Sequence, residues 1–181
     1  MPQDTRRTRR RWLVVGLALA VVLVIAGTIR ALAGQVIGTR LYLLPTTSMA
    51  PTLLPGDRVQ ADEGAATKEP RRGEIWVFVM PAAAQPGGTP AIKRIIGLPG
   101  ETVAVRAGQV FINGRPLAEP YLVVRPNYTM PPRTLGPDEF FVLGDNRNNS
   151  HDGHVWGPLP RSLLLGRART RVWPLGRAGA L

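Results

Sequence analysis

AIKRIIGLPGETVAVRAGQVFING, residues 91–114, decides the fold class of this 181-residue chain. It contains three runs rich in β-branched and aromatic residues, and the turn signals Ala107-Gly108 and Asn113-Gly114 bound them. These runs predict strands at Ala91–Ile96, Thr102–Arg106 and Gln109–Ile112. Segments of the same character elsewhere predict further strands at Arg58–Ala61, Glu74–Met80, Glu139–Leu143 and Ala168–Trp173. Because residues 31–181 show no convincing helical period, we expect them to form a mainly β domain with irregular loops.

Lys93 interrupts the first of these strands, which is otherwise largely apolar. Alternation puts Lys93 on the same strand face as Ala91 and Ile95. A lysine that faces a hydrophobic surface is disfavoured in its charged form, so its pKa falls from about 10.4 towards neutrality. The neutral amine can then take a proton from a serine hydroxyl. For a lone lysine, however, a packed stem with its ammonium reaching water is the more common arrangement.

The segment LPTTSMAPTL, residues 44–53, is a loop rich in proline and hydroxyl groups. A nucleophilic serine needs to be presented from a rigid backbone, with donors nearby for the developing oxyanion. Ser48 is the candidate in this loop. Taken alone, the pattern is also typical of ordinary turns, which use the same residue types.

The segment FVLGDNRNNSHDGH, residues 141–154, is a hydrophobic strand that ends in a loop dense in Asp, Asn, Ser and Gly. Such side chains bond neighbouring backbone groups and fix the shape of a loop. The same oxygens suggest calcium binding, but the spacing lacks the terminal Glu of an EF-hand loop. We therefore interpret Asp145, Asn146, Asn148 and Asp152 as loop-shaping residues.

The composition limits the remaining function classes. The chain has no Cys, which excludes disulfides, thiolate metal sites and a cysteine nucleophile. With only two histidines, a zinc site would need carboxylates to complete it, so we do not expect a metal enzyme. The net charge is +11, but outside the first eleven residues it is scattered without aromatic interleaving. This favours a basic surface facing anionic lipid over nucleic-acid binding.

An uncharged apolar run, WLVVGLALAVVLVIAGTI, extends from Trp12 to Ile29. As a helix it would be about 27 Å long, enough to cross a hydrocarbon core. The run is longer than the usual apolar region of a cleaved signal peptide, so we favour an uncleaved anchor over a signal peptide that is removed. The preceding arginine cluster predicts a cytoplasmic N-terminus. We therefore predict a cytoplasmic segment at 1–11, a transmembrane signal-anchor at 12–30 and an extracytoplasmic β-rich domain at 31–181.

In their order after an apolar span, these segments resemble bacterial type I signal peptidases, the Ser/Lys proteases that remove signal peptides from exported proteins. The matching motifs are S-M-x-P-T-L followed by G-D-R-V, then I-K-R-I-I-G-L-P-G-E, then L-G-D-N-R-x-N-S-x-D. They fall between about Tyr42 and Pro160. The resemblance implies a signal-peptidase-like β-rich catalytic domain that a single transmembrane anchor holds at the outer side of the plasma membrane. It also implies preprotein signal peptides as partners, near the secretion translocon.

The resemblance assigns a role to each matching residue. Ser48 would attack the scissile carbonyl and Lys93 would act as general base, in an acyl transfer without metal or organic cofactor. The hydroxyl of Thr46 and the backbone N–H of Ser48 would hold the oxyanion. Ser150 would hydrogen-bond and orient the Lys93 amine, while Gly144 would leave room for the lysine stem.

Further matches concern loop support and substrate selection. Asp145 and Asp152 would support the loop without reacting. After Ser150 the family commonly reads x-D-S-R, whereas this chain has His154 at the place of the arginine, which it would replace only partly. Small apolar pockets would favour Ala one and three positions before the cut, and the substrate would bind as an added strand. The matching pocket residues are Tyr42, Leu44 and Ile92.

Other functions remain compatible with the sequence. Self-cleaving repressors of the SOS response also use a Ser-Met dipeptide and a Lys, but the apolar span argues against a cytosolic repressor. A signal peptidase dedicated to one secretion, pilin or conjugation substrate is an open alternative. So is an inactive membrane-tethered β domain that serves in binding, although both Ser48 and Lys93 are present.

Overall fold

The computed structural model describes residues 20–25, 38–64, 69–85 and 87–181. The chain divides into two compact units, Met1–Gly38 and Thr39–Leu181. In the first unit, residues 20–25 are helical. None of the helices in the described part of the chain has the length and apolar character needed to cross a membrane. The predicted segment 1–11 and most of the predicted anchor at 12–30 lie outside the described residues.

The second unit is mainly β, as predicted. Its described residues form an eight-stranded sheet and a four-stranded sheet. One helical turn, α1, spans Gly153–Trp156, and 3-10 helices lie at Arg161–Leu163 and Leu175–Arg177. The strands are β1 Thr39–Leu43, β2 Arg58–Asp62, β3 Ile75–Val79, β4 Pro90–Gly97, β5 Thr102–Arg106, β6 Gln109–Ile112, β7 Arg115–Pro116, β8 Met130–Thr134, β9 Glu139–Leu143, β10 Leu159–Pro160, β11 Leu164–Trp173 and β12 Gly179–Ala180.

All seven predicted strands are present, and the two predicted hairpin turns have the required backbone. Ala107 and Asn113 have φ of 49° and 50°, and each is followed by a glycine that also has positive φ. Positive φ at both central residues is the geometry of a type I′ turn, which matches the twist of the flanking strands. The sequence did not reveal the other five strands, β1, β7, β8, β10 and β12. At β8, the prolines at 131 and 132 argue against a strand.

The order of strands places β4 in the interior of the larger sheet. That order is β1-β2-β11-β3-β4-β9-β10, with β12 on β11, and the neighbouring strands are antiparallel. β4 pairs with β3 from Pro90 to Arg94, but its pairing with β9 begins only at Arg94. Within the described strands, the first half of β4 therefore has one unpaired edge.

Buried apolar side chains form clusters on both sides of the larger sheet. On one side, Ile75 and Val77 pack with residues of the loop after β1, and on the other, Trp76 and Phe78 pack with Phe140. A further cluster joins the two sheets. Because both faces of β3 and β4 are covered, a charged side chain on β4 is removed from water.

Candidate active site

Ser48 lies in the loop between β1 and β2, and the core fixes this loop. The two ends of the loop are joined, since Leu44 N donates a hydrogen bond of 2.9 Å to Asp57 O. Met49 and Leu53 are completely buried in the core. Burial of an aliphatic or Met side chain contributes about 1.5–3 kcal/mol, which holds the loop in one conformation. Ser48 is thereby held in a fixed position, with only 6% of its surface exposed.

Lys93 reaches Ser48 from β4. Its Nζ lies 2.6 Å from Ser48 Oγ, and the side chain is 6% exposed. Burial disfavours the ammonium form and lowers the pKa of Lys93 from 10.5 to about 8, although the carboxylates of Asp152 and Asp145 act in the opposite direction. A neutral amine within hydrogen-bonding distance of a serine hydroxyl can accept its proton.

Two further hydroxyl groups surround this pair. Thr46 Oγ1 lies 3.1 Å from Ser48 Oγ. Ser150 Oγ is buried and has no hydrogen-bond partner among the described residues, so the predicted bond to Lys93 is not formed here. A Cβ at Gly144 would overlap Ser150 Oγ and Ser48 O. Glycine is therefore needed at 144 to let Ser48 and Ser150 approach. We expected Gly144 to leave room for the stem of Lys93, but atoms of Ser48 and Ser150 lie nearest to it.

Asp145 connects β4 with the loop that carries Ser150. Arg94 binds it through two hydrogen bonds, with Nε at 2.8 Å and Nη2 at 2.6 Å from the two carboxylate oxygens. Thr52 Oγ1 donates to the same carboxylate at 2.5 Å, and the Arg94 guanidinium lies over the ring of Tyr121 at 3.9 Å. Asp145 thus ties together the three segments that form the site, and this geometry fits a supporting role.

Asp152 is also completely buried and supports the same loop. One carboxylate oxygen accepts a hydrogen bond of 2.8 Å from Gly144 N, and the other lies 2.8 Å from Nδ1 of His154. The ring of His154 stacks on Tyr128 with centroids 4.1 Å apart. His154 therefore occupies the position of partner to Asp152 for which the resemblance led us to expect an arginine.

The sequence analysis missed a buried ion pair beneath the loop. Arg147 is completely buried and binds Glu119 at 2.6 and 2.8 Å, while its Nε donates to Gly144 O at 3.1 Å. Tyr121 donates a hydrogen bond of 2.6 Å to Glu119, and burial raises the pKa of this tyrosine. Arg147 belongs to a recognised motif, but Glu119 lies in a segment without a local signal.

A cleft of about 610 Å³ opens beside Ser48 and Lys93. Leu44 and Ile92 line it, as predicted pocket residues should. Tyr42 is not among the described residues that line the cleft, because its ring packs against the core and its hydroxyl donates to Glu63 at 2.8 Å. The rest of the lining comes from 43, 45–48, 80, 85, 89–91, 93 and 148–151. Among the described residues, no group of three His, Asp or Glu could hold a metal ion.

The chain matches known proteins over most of its length. The family described as "Signal peptidase, peptidase S26" matches residues 10–173. The chain is 47% identical to a signal peptidase I of Leptolyngbya laminosa, across 76% of this chain and 70% of that protein. It is 41% identical to a probable signal peptidase I-2 of Synechocystis, across 94% and 77%. A solved signal peptidase I of Enterococcus faecalis aligns with a TM-score of 0.47 at 33% identity, covering 55% of this chain and 97% of that one.

Proposed function

This chain belongs to the peptidase S26 family of signal peptidases, which are serine peptidases, and on that premise we propose that it is a membrane-bound endopeptidase that removes signal peptides from exported preproteins. The observation that carries the proposal is the contact of 2.6 Å between the buried Lys93 Nζ and Ser48 Oγ. In this geometry Ser48 would be the nucleophile and Lys93 its base, and among the described residues no other ionisable group is hydrogen-bonded to the Ser48 hydroxyl.

The proposed reaction begins with the neutral form of Lys93. With a pKa of about 8, about a tenth of the amine is neutral at pH 7. The amine takes the proton of Ser48 as Oγ attacks the scissile carbonyl, and it then returns that proton to the leaving amine. Water hydrolyses the resulting acyl-enzyme, again with Lys93 as base.

Thr46 and Ser150 complete the proposed machinery. The Thr46 hydroxyl is close enough to Ser48 Oγ to donate a hydrogen bond to an oxyanion that forms next to it. A buried hydroxyl without a partner is unfavourable, so Ser150 is poised to form a bond that the free enzyme lacks. Catalytic hydrogen bonds often tighten only when substrate is bound, which fits a role for Ser150 in orienting Lys93.

The cleft suits an extended peptide with small side chains. Residues Pro90–Lys93 line it and belong to the half of β4 whose second edge is unpaired, so a substrate strand can add there. Leu44 and Ile92 present apolar surface beside the nucleophile. We propose that they select Ala one and three positions before the cut. The anchor at 12–30 would keep this cleft on the outer side of the plasma membrane.

The test uses the full-length protein in detergent with a preprotein that bears an Ala-x-Ala site. The wild type should release a mature protein whose new N-terminus follows the second Ala, and Ser48→Ala and Lys93→Met should both be inactive. Circular dichroism of each variant controls for folding. Cleavage that survives either substitution would overturn the Ser/Lys mechanism. A folded wild type that cuts no general preprotein would instead favour a dedicated peptidase or a binding domain.

A further inference from the structure

The buried carboxylate of Asp152 contacts the side chain of His154 with one oxygen and the backbone of Gly144 with the other. Oδ1 lies 2.8 Å from His154 Nδ1, and Oδ2 accepts a hydrogen bond of 2.8 Å from Gly144 N. Because an ionised carboxylate only accepts hydrogen bonds, Nδ1 carries a proton, and Nε2 is the nitrogen that gains or loses the second one. The side chain of His154 is 20% exposed, so it can exchange that proton with water.

The same carboxylate acts on Lys93 from the other side of Gly144. Ser48 and Ser150 pack so closely around Gly144 that a Cβ there would lie 2.3 Å from an atom of each. Lys93 Nζ is in turn 2.6 Å from Ser48 Oγ. Burial lowers the pKa of Lys93, and the negative charge of Asp152 opposes this by favouring the ammonium. Since Asp152 is completely buried, water screens that charge only weakly.

We propose that His154 is a positioning residue that acts on Lys93 through Asp152, because the imidazole and the amine compete for one buried negative charge. The inference rests on the function proposed above, in which Lys93 is the base. When His154 gains a proton, its charge matches that of Asp152, and the carboxylate then stabilises the ammonium of Lys93 less. Lys93 therefore gives up its proton more readily. Imidazoles change charge near neutral pH, which is where the neutral amine becomes scarce.

The consequence is a reaction rate that falls less steeply on the acid side than a lysine alone would allow. With a single base, the rate falls tenfold for each pH unit below the pKa of that base. Here a lower pH also protonates His154, which returns part of the Lys93 population to the neutral form. Two groups that disfavour each other's protonation titrate over a broader range than independent groups do. An arginine at 154 would have a permanent charge and could not produce this effect.

The other charged groups near His154 keep their charge near neutral pH. In the described part of the chain they are Tyr128, the ion pairs Arg147–Glu119 and Arg94–Asp145, and Arg133 beside Gly157 at the end of α1. Burial raises the pKa of Tyr128, so the phenol that stacks on the imidazole stays neutral. The arginines are charged at every relevant pH. His151 lines the cleft and is exposed, so the test removes it.

The kinetic test compares three full-length proteins in detergent, each carrying His151→Gln: one retains His154, and the others carry His154→Arg or His154→Gln. Both replacements donate to Asp152, but only arginine is charged. For preprotein hydrolysis, log kcat/KM of both replacements should rise with a slope of one, half-maximal at a pH about 0.5–1 unit lower for arginine. The protein that retains His154 should have a slope of about 0.6–0.8 near neutral pH. Coincident profiles of the two replacements, or a slope of one with His154, would overturn the inference.

A second measurement needs neither activity nor a folded His154 variant. With His151→Gln, His154 is the only imidazole of the chain, so NMR of the histidine-labelled protein follows its protonation directly. Coupling between two sites is reciprocal. Lys93→Met should therefore let His154 keep its proton to a pH about 0.5–1 unit higher, whereas Lys68→Met should not. An unchanged titration in Lys93→Met would overturn the inference. If the titration shifts but no preprotein is cut, the coupling stands and the proposed function fails.

Discussion

Replacing Lys93 by Met should abolish hydrolysis and at the same time stabilise the folded protein at neutral pH. Burial lowers the pKa of Lys93 from 10.5 to about 8, which means that the fold binds the proton less tightly than the unfolded chain does. At pH 7 the protonated amine therefore costs free energy in the folded state. Met fills a similar length without a charge and adapts to irregular space.

The magnitude follows from the two pKa values of Lys93. Their separation corresponds to about 3 kcal/mol of unfolding free energy. Below pH 8 the full penalty is present, and between pH 8 and 10.5 the wild type gains stability as pH rises, because only the unfolded chain still holds the proton. The lost hydrogen bond to Ser48 offsets about 1 kcal/mol. The variant should thus be about 2 kcal/mol more stable at pH 7, this advantage should vanish at about pH 10, and at pH 10.5 the wild type should be slightly the more stable of the two.

The assay is urea unfolding of the full-length wild type and variant in detergent at several pH values. Because both proteins share all other titrating groups, the contributions of those groups cancel in the difference between the two free energies of unfolding. Lys68→Met, at the only other lysine of the chain, is the matched control. It should keep the activity of the wild type and the same pH dependence of the free energy of unfolding. A difference that stays constant from pH 7 to 10.5 would refute the reasoning, since it would mean that the fold does not lower the pKa of Lys93.

Three further outcomes are expected. The hydrolysis rate of the wild type should rise with pH until about 8, because burial lowers the pKa of Lys93 to that value; a rate that is flat from pH 6 to 8 would contradict a lysine base. Thr46→Val should lower kcat by about 10²–10³-fold with little change in KM, while Thr46→Ser retains activity in the same kinetic assay. Glu119→Ala should lower the free energy of unfolding by about 3–5 kcal/mol, because it leaves the buried guanidinium of Arg147 without its partner; a loss below 1 kcal/mol by urea unfolding would show that water replaces the carboxylate.

Local patterns were sufficient to predict most of the fold. The hairpin turns at 107–108 and 113–114 need positive φ, and the sequence places glycine there, so these strand ends follow from neighbouring residues alone. β11 begins at Leu164, whereas we predicted its start at Ala168. The extra residues are in a strand because they pair with Phe78 and Val77, across a shift in register. Such pairing depends on residues far apart in the chain, which no local pattern contains.

The residues of the site likewise fall into two groups: local sequence motifs predict some of them, and the others depend on distant parts of the chain. Ser48, Lys93 and Ser150 were named because each lies in a recognisable motif. Glu119 was not named, since its importance depends on a distant arginine that folding brings within 2.6 Å. Likewise, we expected His154 to replace only partly the arginine that the family pairs with Asp152, and the structure has its Nδ1 2.8 Å from the carboxylate. A buried carboxylate needs a hydrogen-bond donor, but it does not specify which side chain supplies that donor. Histidine in place of the family's arginine therefore changes the partner of Asp152 and keeps the support of the loop.

On strand β4, the base that we propose is a lysine in a chain whose other basic residues are nearly all arginines. Only two of its 23 basic residues are lysines. An arginine cannot be deprotonated in proteins, so it cannot serve as a base. Arg94 donates two hydrogen bonds to the carboxylate of Asp145. One residue earlier, Lys93 is buried against a neutral hydroxyl, and its pKa falls to about 8. In the proposed mechanism, adjacent residues on opposite faces of β4 thus have different roles: the arginine holds the loop through a permanent charge, and the lysine can act as a base because it can lose its charge.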